Sequence, residues 1–438
     1  MRAIRGNVIV VLFLLGVMNT GPSQAHALKA AETQTPSPLL SKGHGVDWWF
    51  VFKFNAITFP RPSDSKPTCM FGGHPGGQPR AKDFGKSSGK PFKRYTKIGQ
   101  DFVFASNEQP SLQKGDGYLG DSTDDPLGAT FDEVYNGDLY FVIWNDQFYG
   151  DPALRCEKGR PYCSGPWAHS KGIIAWDAKG DGFMIQVTTP DWPGSGSADY
   201  KRKEGNSLGC TSDNNVSLSQ DFFALKLPKK DLLKVLAALE EEGAVTDLDN
   251  PQIVKSGGPK DVTDAVAALG KTNPKETFTD EKLSSGIRLI SKSGSLYVPP
   301  WQMISAVLGG IPLRVASFRS PNPIDTTIQR KTPPCWSKSL SAPGPVQAAS
   351  SGSWDGESIG FTTGTNHAKI GVSTSSDSRI TIFSDMNDAG TLAPDETNNS
   401  CAVSQNGRGG MFFVLENKVL RDSVAGLLSG DSAETVRY

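Results

Sequence analysis

The chain has 438 residues, and its 45 Lys and Arg nearly balance 46 Asp and Glu, for a formal net charge of −1. Hydrophobic residues at 37% and charged residues at 21% exclude a disordered chain, a collagen-like fibre and a multi-span membrane protein. Near-neutral charge also excludes a protein that coats nucleic acid through net charge alone, while leaving room for a local basic cleft.

The one long apolar run, residues 8–18, follows Arg2 and Arg5 and precedes Gly21, Pro22 and the small-residue site Ala25-His26-Ala27. It is too short to span a bilayer and reads as a secretory signal peptide, residues 1–27, with an N-terminal anchor as the alternative. Losing Arg2 and Arg5 would take the charge from −1 to −3. Residues 28–44 form a polar lead-in, and 46–54 predict a buried first strand. Residues 60–99 are rich in Gly, Pro and Lys and end in Lys86, Lys90, Lys93, Arg94 and Lys97, either a solvated loop or a phosphate-contacting rim.

Residues 139–144 predict a second strand, which ends in Asn145-Asp146-Gln147. A strand pair follows at 169–176 and 182–188, joined by a turn at 178–181. Leu232, Leu233, Leu236 and Leu239 predict a surface helix over 228–243, with Pro228 at its start, where a missing N–H costs nothing. Residues 244–285 are weakly patterned and read as a connection between a first half, 45–243, and a second half, 286–438. The second half holds a helix at 300–307, a strand pair at 368–373 and 379–384, and an amphipathic helix at 416–428. Strands and helices mixed in two similar halves predict an α/β or α+β architecture.

The six cysteines, Cys69, Cys156, Cys163, Cys210, Cys335 and Cys401, would sit in an oxidising compartment after export. Cys156 and Cys163 are close enough to pair locally; the other pairings stay open. No CxxC or HxxxH spacing occurs, so a zinc site has little support.

Histidine is scarce and therefore informative. Beyond His26 the chain has His44, His74, His169 and His367, and two of these stand in His-x-Lys, as His169-Ser170-Lys171 and His367-Ala368-Lys369. Both motifs open apolar, β-prone runs. On a strand, positions i and i+2 share a face, so each His and Lys would project together toward water, a ligand or each other. Asp177 has the parity of His169 and Lys171; it either orients a histidine or forms the turn before Ala178. His44 and His74 lie in Gly-rich surroundings and carry no assigned role.

Taken in order, five segments resemble deoxyribonuclease II. They are Val46-Asp47-Trp48 through Lys53, the strand end Asn145-Asp146-Gln147, and His169-Ser170-Lys171-Gly172 through Pro190-Asp191-Trp192-Pro193. The other two are His367-Ala368-Lys369 with Ser384-Asp385-Met386-Asn387, and Arg408-Gly409-Gly410. That family is grouped with the phospholipase D superfamily, whose members bring one His-x-Lys from each half, or each subunit, into one central site. The resemblance implies a phospholipase D-like fold of two similar mixed-sheet halves flanked by helices in a pseudo-twofold arrangement. The chain departs from the family at Asn366, where an acidic residue is expected before the second histidine, and at the Lys-rich stretch and the 244–285 connection.

The implied activity is a secreted, metal-independent endonuclease acting on DNA, with no cofactor, leaving 3′-phosphate and 5′-hydroxyl ends. Such chemistry needs a nucleophile, an acid for the leaving alkoxide and cations for the phosphoryl oxygens. His169 and His367 would supply the first two, with a weak preference for His169 as nucleophile, and Lys171 and Lys369 would hold the oxygens. Asn145, Asp146, Asp385 and Asn387 would bind phosphate, orient a histidine or cap turns. DNA is the expected partner, with no membrane association after signal cleavage; a homodimer stays open. The expected location is outside the cell or in the periplasm, or a lysosome-like compartment in a eukaryote. The competing readings are a phospholipase D-like phosphodiesterase on lipid or another diester, and a non-catalytic nucleic-acid-binding relative.

Overall fold

Runs of aromatic and β-branched residues build two large sheets, and every strand predicted from the sequence falls within one of them. The computed structural model describes residues 35–60, 99–120, 122–148, 156, 162–190, 192–193, 217–397 and 399–438. The expected signal peptide, the cationic run ending at Lys97, Cys69, Cys210, His74 and Asp191 lie outside the described residues.

A short hairpin of β1 (Leu39–Ser41) and β2 (His44–Gly45) occupies part of the stretch read as a polar lead-in. Next come β3 (Trp48–Lys53), β4 (Phe102–Ser106), β5 (Gln113–Lys114), β6 (Tyr140–Asn145), β7 (Lys171–Trp176), β8 (Gly182–Val187), β9 (Gln220–Leu227) and β10 (Val254–Lys255). They form an eight-stranded sheet in the order β10-β6-β7-β8-β9-β3-β4-β5, antiparallel throughout. The chain continues through β11 (Phe278–Lys282), β12 (Arg288–Lys292), β13 (Leu313–Ala316), β14 (Thr326–Thr327) and β15 (Val346–Ala348). A separate hairpin of β16 (Ser351–Trp354) and β17 (Glu357–Gly360) precedes β18 (Ile370–Ser373), β19 (Ile380–Ser384), β20 (Gly410–Glu416) and β21 (Thr435–Val436). The nine-stranded second sheet runs β11-β12-β20-β19-β18-β13-β15-β14-β21 and is mixed, with β13–β15 and β14–β21 parallel.

The two sheets share one spatial order of strands, although the chain enters one edge pair at β3 and the matched pair at β11. The run β6-β7-β8-β9-β3-β4 in the first corresponds to β13-β18-β19-β20-β12-β11 in the second, with every neighbour antiparallel. Helices α1 (Pro126–Tyr135), α2 (Lys229–Glu242), α3 (Lys260–Ala268), α4 (Pro300–Val307) and α5 (Lys418–Leu427) follow the same plan. In it α1 leads into β6 as α4 leads into β13, and α2 follows β9 as α5 follows β20. The fold is α+β. Both sheets lie in one unit, residues 35–438, and residues 244–285 give an edge strand to each of them.

An aromatic layer joins the sheets. Phe50 of β3 and Phe223 of β9 stack on Phe383 of β19 at 4.6 and 4.5 Å between ring centroids, and Phe413 of β20 lies 5.5 Å from Phe223. All four rings are fully buried. Helix α2, expected at the surface, is largely buried as well, because its apolar stripe lies over strands of both sheets. Gly243, with φ of 74° in the left-handed region, ends it. Disulfides form between Cys156 and Cys163, the expected local pair, and between Cys335 and Cys401.

Candidate active site

The first half of the site follows from the register of β6 and β7, which sets Asn145 opposite Lys171. Asp146, one residue past the end of β6, therefore meets the start of β7, and its Oδ1 accepts a hydrogen bond from Lys171 Nζ. Its other oxygen accepts from Arg408 Nη2 at 2.9 Å. The three side chains are 5%, 4% and 11% exposed, so this is a buried ion triad rather than a surface pair. Arg408 also donates to the carbonyls of Trp167 at 3.2 Å and Ala168 at 2.6 Å, clamping the chain that enters His169. Gly172 permits the close packing beside Lys171, since a Cβ there would lie 2.2 Å from the Trp144 ring and 2.5 Å from the Ile185 carbonyl. His169 Nδ1 lies 2.8 Å from the Asp385 carbonyl oxygen. A carbonyl only accepts, so Nδ1 carries a hydrogen, and in the neutral ring Nε2 holds the lone pair.

The second half is set by the chain before β18. His367 N–H donates to the Ser219 carbonyl at 2.8 Å, and Lys369 N–H donates to Asp221 Oδ1 at 2.7 Å, so β9 of the first sheet anchors the second motif. Lys369 Nζ donates to the His367 carbonyl at 2.6 Å, and the His367 ring packs edge-on against Phe318 with centroids 4.5 Å apart. Asn366 uses its amide on the backbone of Ala368, accepting at 3.1 Å and donating at 3.0 Å. At this half Asp221 supplies a carboxylate beside Lys369, and Asn366 does not.

The charges couple the two halves. Burial would raise Asp146, but Lys171, His169 and Arg408 outweigh it and hold the carboxyl well below the usual range. Burial pushes both imidazoles well below the ordinary 6.5; Lys171, Arg408 and Lys369 add to this at His169, and Lys369, Lys171 and Lys53 at His367. Burial, then Lys171, lowers Lys369 to about 7, while burial raises Asp221 and Asp385 to about 7. Each motif thus feels the lysine of the other.

Of the residues singled out in the sequence, His169, Lys171, His367, Lys369, Asp146 and Asp385 share this neighbourhood. Both histidines stand just before their strands, not on them. Lys171 and Lys369 are 3% and 2% exposed, so the site is more enclosed than a solvent-facing strand pair. Asn145 spends its amide locally, donating to the Trp192 carbonyl at 2.8 Å and accepting from Gln147 N–H at 2.9 Å. Asn387 is buried, with its N–H donated to Gln405 at 3.3 Å. Asp177 sits at the opposite end of β7 from Lys171. Its carboxylate accepts from Lys179 N–H at 2.7 Å and Asp181 N–H at 3.2 Å, which makes it a turn residue remote from both histidines.

Two participants were not singled out in the sequence, Asp221, described above, and Glu242; Arg408 was quoted there only within Arg408-Gly409-Gly410, with no role. Glu242, the last residue of α2, accepts from Ser170 Oγ at 2.5 Å, directly between His169 and Lys171 in sequence. Burial and the nearby Asp385 carboxylate push Glu242 well above its ordinary value. Lys292, at the end of β12, supports Arg408 from behind by donating to the carbonyls of Ser293, Asn406 and Arg408 at 3.1, 2.9 and 2.6 Å. Lys53, at the end of the equivalent strand β3, makes the corresponding bonds to Phe54 and Gly99 at 3.1 and 2.8 Å.

Removing one member of a buried ion cluster leaves the others uncompensated. Asp146→Asn should therefore cost about 3–5 kcal/mol of unfolding free energy in a urea titration, whereas breaking the exposed Lys229–Asp261 pair should cost about 1 kcal/mol at most. An Asp146→Asn loss as small as the surface pair's would contradict the triad.

The sequence model of the family described as deoxyribonuclease II matches residues 86–305, half of the chain. The matched stretch takes in Asp146, His169, Lys171 and Glu242; His367, Lys369, Asp385 and Arg408 follow it. No curated protein matches the chain. A match over half of the chain places it: the protein belongs to the deoxyribonuclease II family and is a hydrolase of the deoxyribonuclease kind.

Proposed function

We propose that the protein is an endonuclease that hydrolyses DNA through a phosphohistidine, with His169 as nucleophile and His367 as general acid. The observation that carries the assignment is the Asp385 carbonyl on His169 Nδ1, which fixes the ring so that Nε2 presents a lone pair. Nε2 of His169 attacks phosphorus and the bond to the 5′ oxygen breaks. The His367 imidazolium gives that oxygen its proton. Neutral His367 then takes a proton from water, the water oxygen attacks phosphorus, and the N–P bond breaks to leave a 3′-phosphate. Lys171 and Lys369 hold the non-bridging oxygens, so the cationic work stays within the protein.

Secretion or export to a periplasm is part of the same reading. It is supported by the N-terminal charged and apolar sequence pattern and by the two disulfides, which favour an oxidising compartment. Among the described residues no helix is long and apolar enough to cross a membrane.

Leaving-group chemistry tests the roles. In millimolar EDTA the wild type should cut plasmid DNA, and His169→Ala and His367→Ala should each lose roughly a thousandfold or more. The double variant should be scarcely worse than either. On thymidine 3′-(nitrophenyl phosphate), whose nitrophenolate stands in for the leaving 5′ oxygen, His367→Ala should recover a first-turnover burst of nitrophenolate and His169→Ala should stay inactive. Equal recovery of both would contradict the assignment, as would losses that multiply.

The pH profile follows from the depressed imidazoles. A lowered value means that the acid loses its proton at lower pH than a free histidine, and Lys369 discharges near 7 on the same alkaline side. kcat/KM should peak below pH 6.5 and fall by about tenfold per pH unit above its upper apparent pKa. A kcat/KM still rising at pH 8 would overturn this.

A further inference from the structure

The backbone of the second motif is tied on both sides of His367, since its N–H donates to the Ser219 carbonyl at 2.8 Å and its carbonyl accepts from Lys369 Nζ at 2.6 Å. The imidazole has no such tie. Among the described residues its ring nitrogens make no hydrogen bond, whereas the His169 ring is fixed by the Asp385 carbonyl. The charges that act on it, those of Lys369, Lys171 and Lys53, are all positive, so no carboxylate orients it. What holds the ring is Phe318, packed edge-on with centroids 4.5 Å apart and planes at 70°.

Core packing does not account for Phe318, which is half-buried and belongs to neither hydrophobic core. Its backbone is nonetheless held firmly. Ser317, just before it, accepts from Asp388 N–H at 2.8 Å. Arg319, just after it, donates to the Ile324 carbonyl at 3.1 Å and to the Asp325 carboxylate at 2.6 Å. Ile324 N–H donates to the Asp388 carbonyl at 3.2 Å and Gly390 N–H to the Asn322 carbonyl at 2.8 Å, which laces the loop after β13 to the loop after β19. The loop after β19 begins with Asp385. One scaffold thus fixes the His169 ring through a carbonyl and reaches the His367 ring through a phenyl group. A carboxylate partner would favour the charged imidazole and hold its proton; an edge-on aromatic contact orients the ring without adding an opposite charge.

We propose that Phe318 is the positioning residue of the acid, holding the His367 imidazole by packing where His169 is held by a hydrogen bond. The role rests on the assignment of His367 as acid and deepens it. Phe318→Ala should lower the single-turnover rate at saturating DNA roughly 10- to 100-fold with KM unchanged, the scale of loss when a reacting group is misplaced by about an ångström. On thymidine 3′-(nitrophenyl phosphate), whose leaving group needs little protonation, the same variant should keep the wild-type first-turnover burst and slow only the turnovers that follow, which need His367 as base. A site that had merely loosened would lose the burst as well. Phe318→Tyr, which keeps the ring, should recover most of the loss on DNA. In a His367→Ala background Phe318→Ala should change nothing further, because it acts only through that imidazole. A burst that falls together with the DNA rate, a loss confined to KM, or losses that multiply in the double variant would overturn the role of Phe318 alone. If His367→Ala itself fails to recover the burst, the assignment of the acid falls and the role of Phe318 falls with it.

Discussion

The buried triad of Lys171, Asp146 and Arg408 is the constraint on which the candidate site depends. Desolvating three charges is costly, and their mutual attraction offsets that cost only when the geometry is closely held. Here the geometry joins distant parts of the chain, because Asp146 and Lys171 belong to the first sheet while Arg408 precedes β20 of the second. Lys292 holds the Arg408 carbonyl, Arg408 holds the carbonyls before His169, and the carbonyl of Asp385, in the second half, fixes the His169 ring. The aromatic layer of Phe50, Phe223, Phe383 and Phe413 sets the two sheets face to face, so these contacts can form.

Sheet order repeats between the halves but charge does not. Lys171 is neutralised by a carboxylate held far below its ordinary range, whereas Lys369 faces Asp221, raised to about 7, and is itself lowered to about 7. The histidines differ in parallel: one ring is hydrogen-bonded to a carbonyl, the other packs against Phe318. Two similar units thus provide two unlike environments, which suits the proposed division into nucleophile and acid.

Periodicity and scarcity made the strands and the paired motifs legible in the sequence. The runs at 46–54, 139–144 and 182–188 are apolar and β-prone over their length, and two His-x-Lys among so few histidines stand out. What stayed hidden depends on contacts far apart in sequence. Glu242 reads as the solvated end of an acidic helix tail, until α2 is laid over both sheets and the carboxylate meets Ser170, 72 residues away. Arg408 stands in the Arg408-Gly409-Gly410 segment, but its role stayed hidden because its partner Asp146 lies 262 residues away. Asp177 misled for the opposite reason. Its parity matched that of His169, but a β-strand carries position 177 to the far end of the sheet, where local turn bonding decides its role.

Trapping the covalent intermediate tests the account most directly. DNA labelled at the scissile phosphate is mixed with enzyme and quenched in alkali within the first turnover, and the protein is digested and mapped. The account predicts label on the peptide that carries His169, stable in alkali and lost in acid, with more of it accumulating in His367→Ala when the leaving group is a nitrophenolate. Label on the His367 peptide, or cleavage at full rate with no labelled protein at any time, would contradict it.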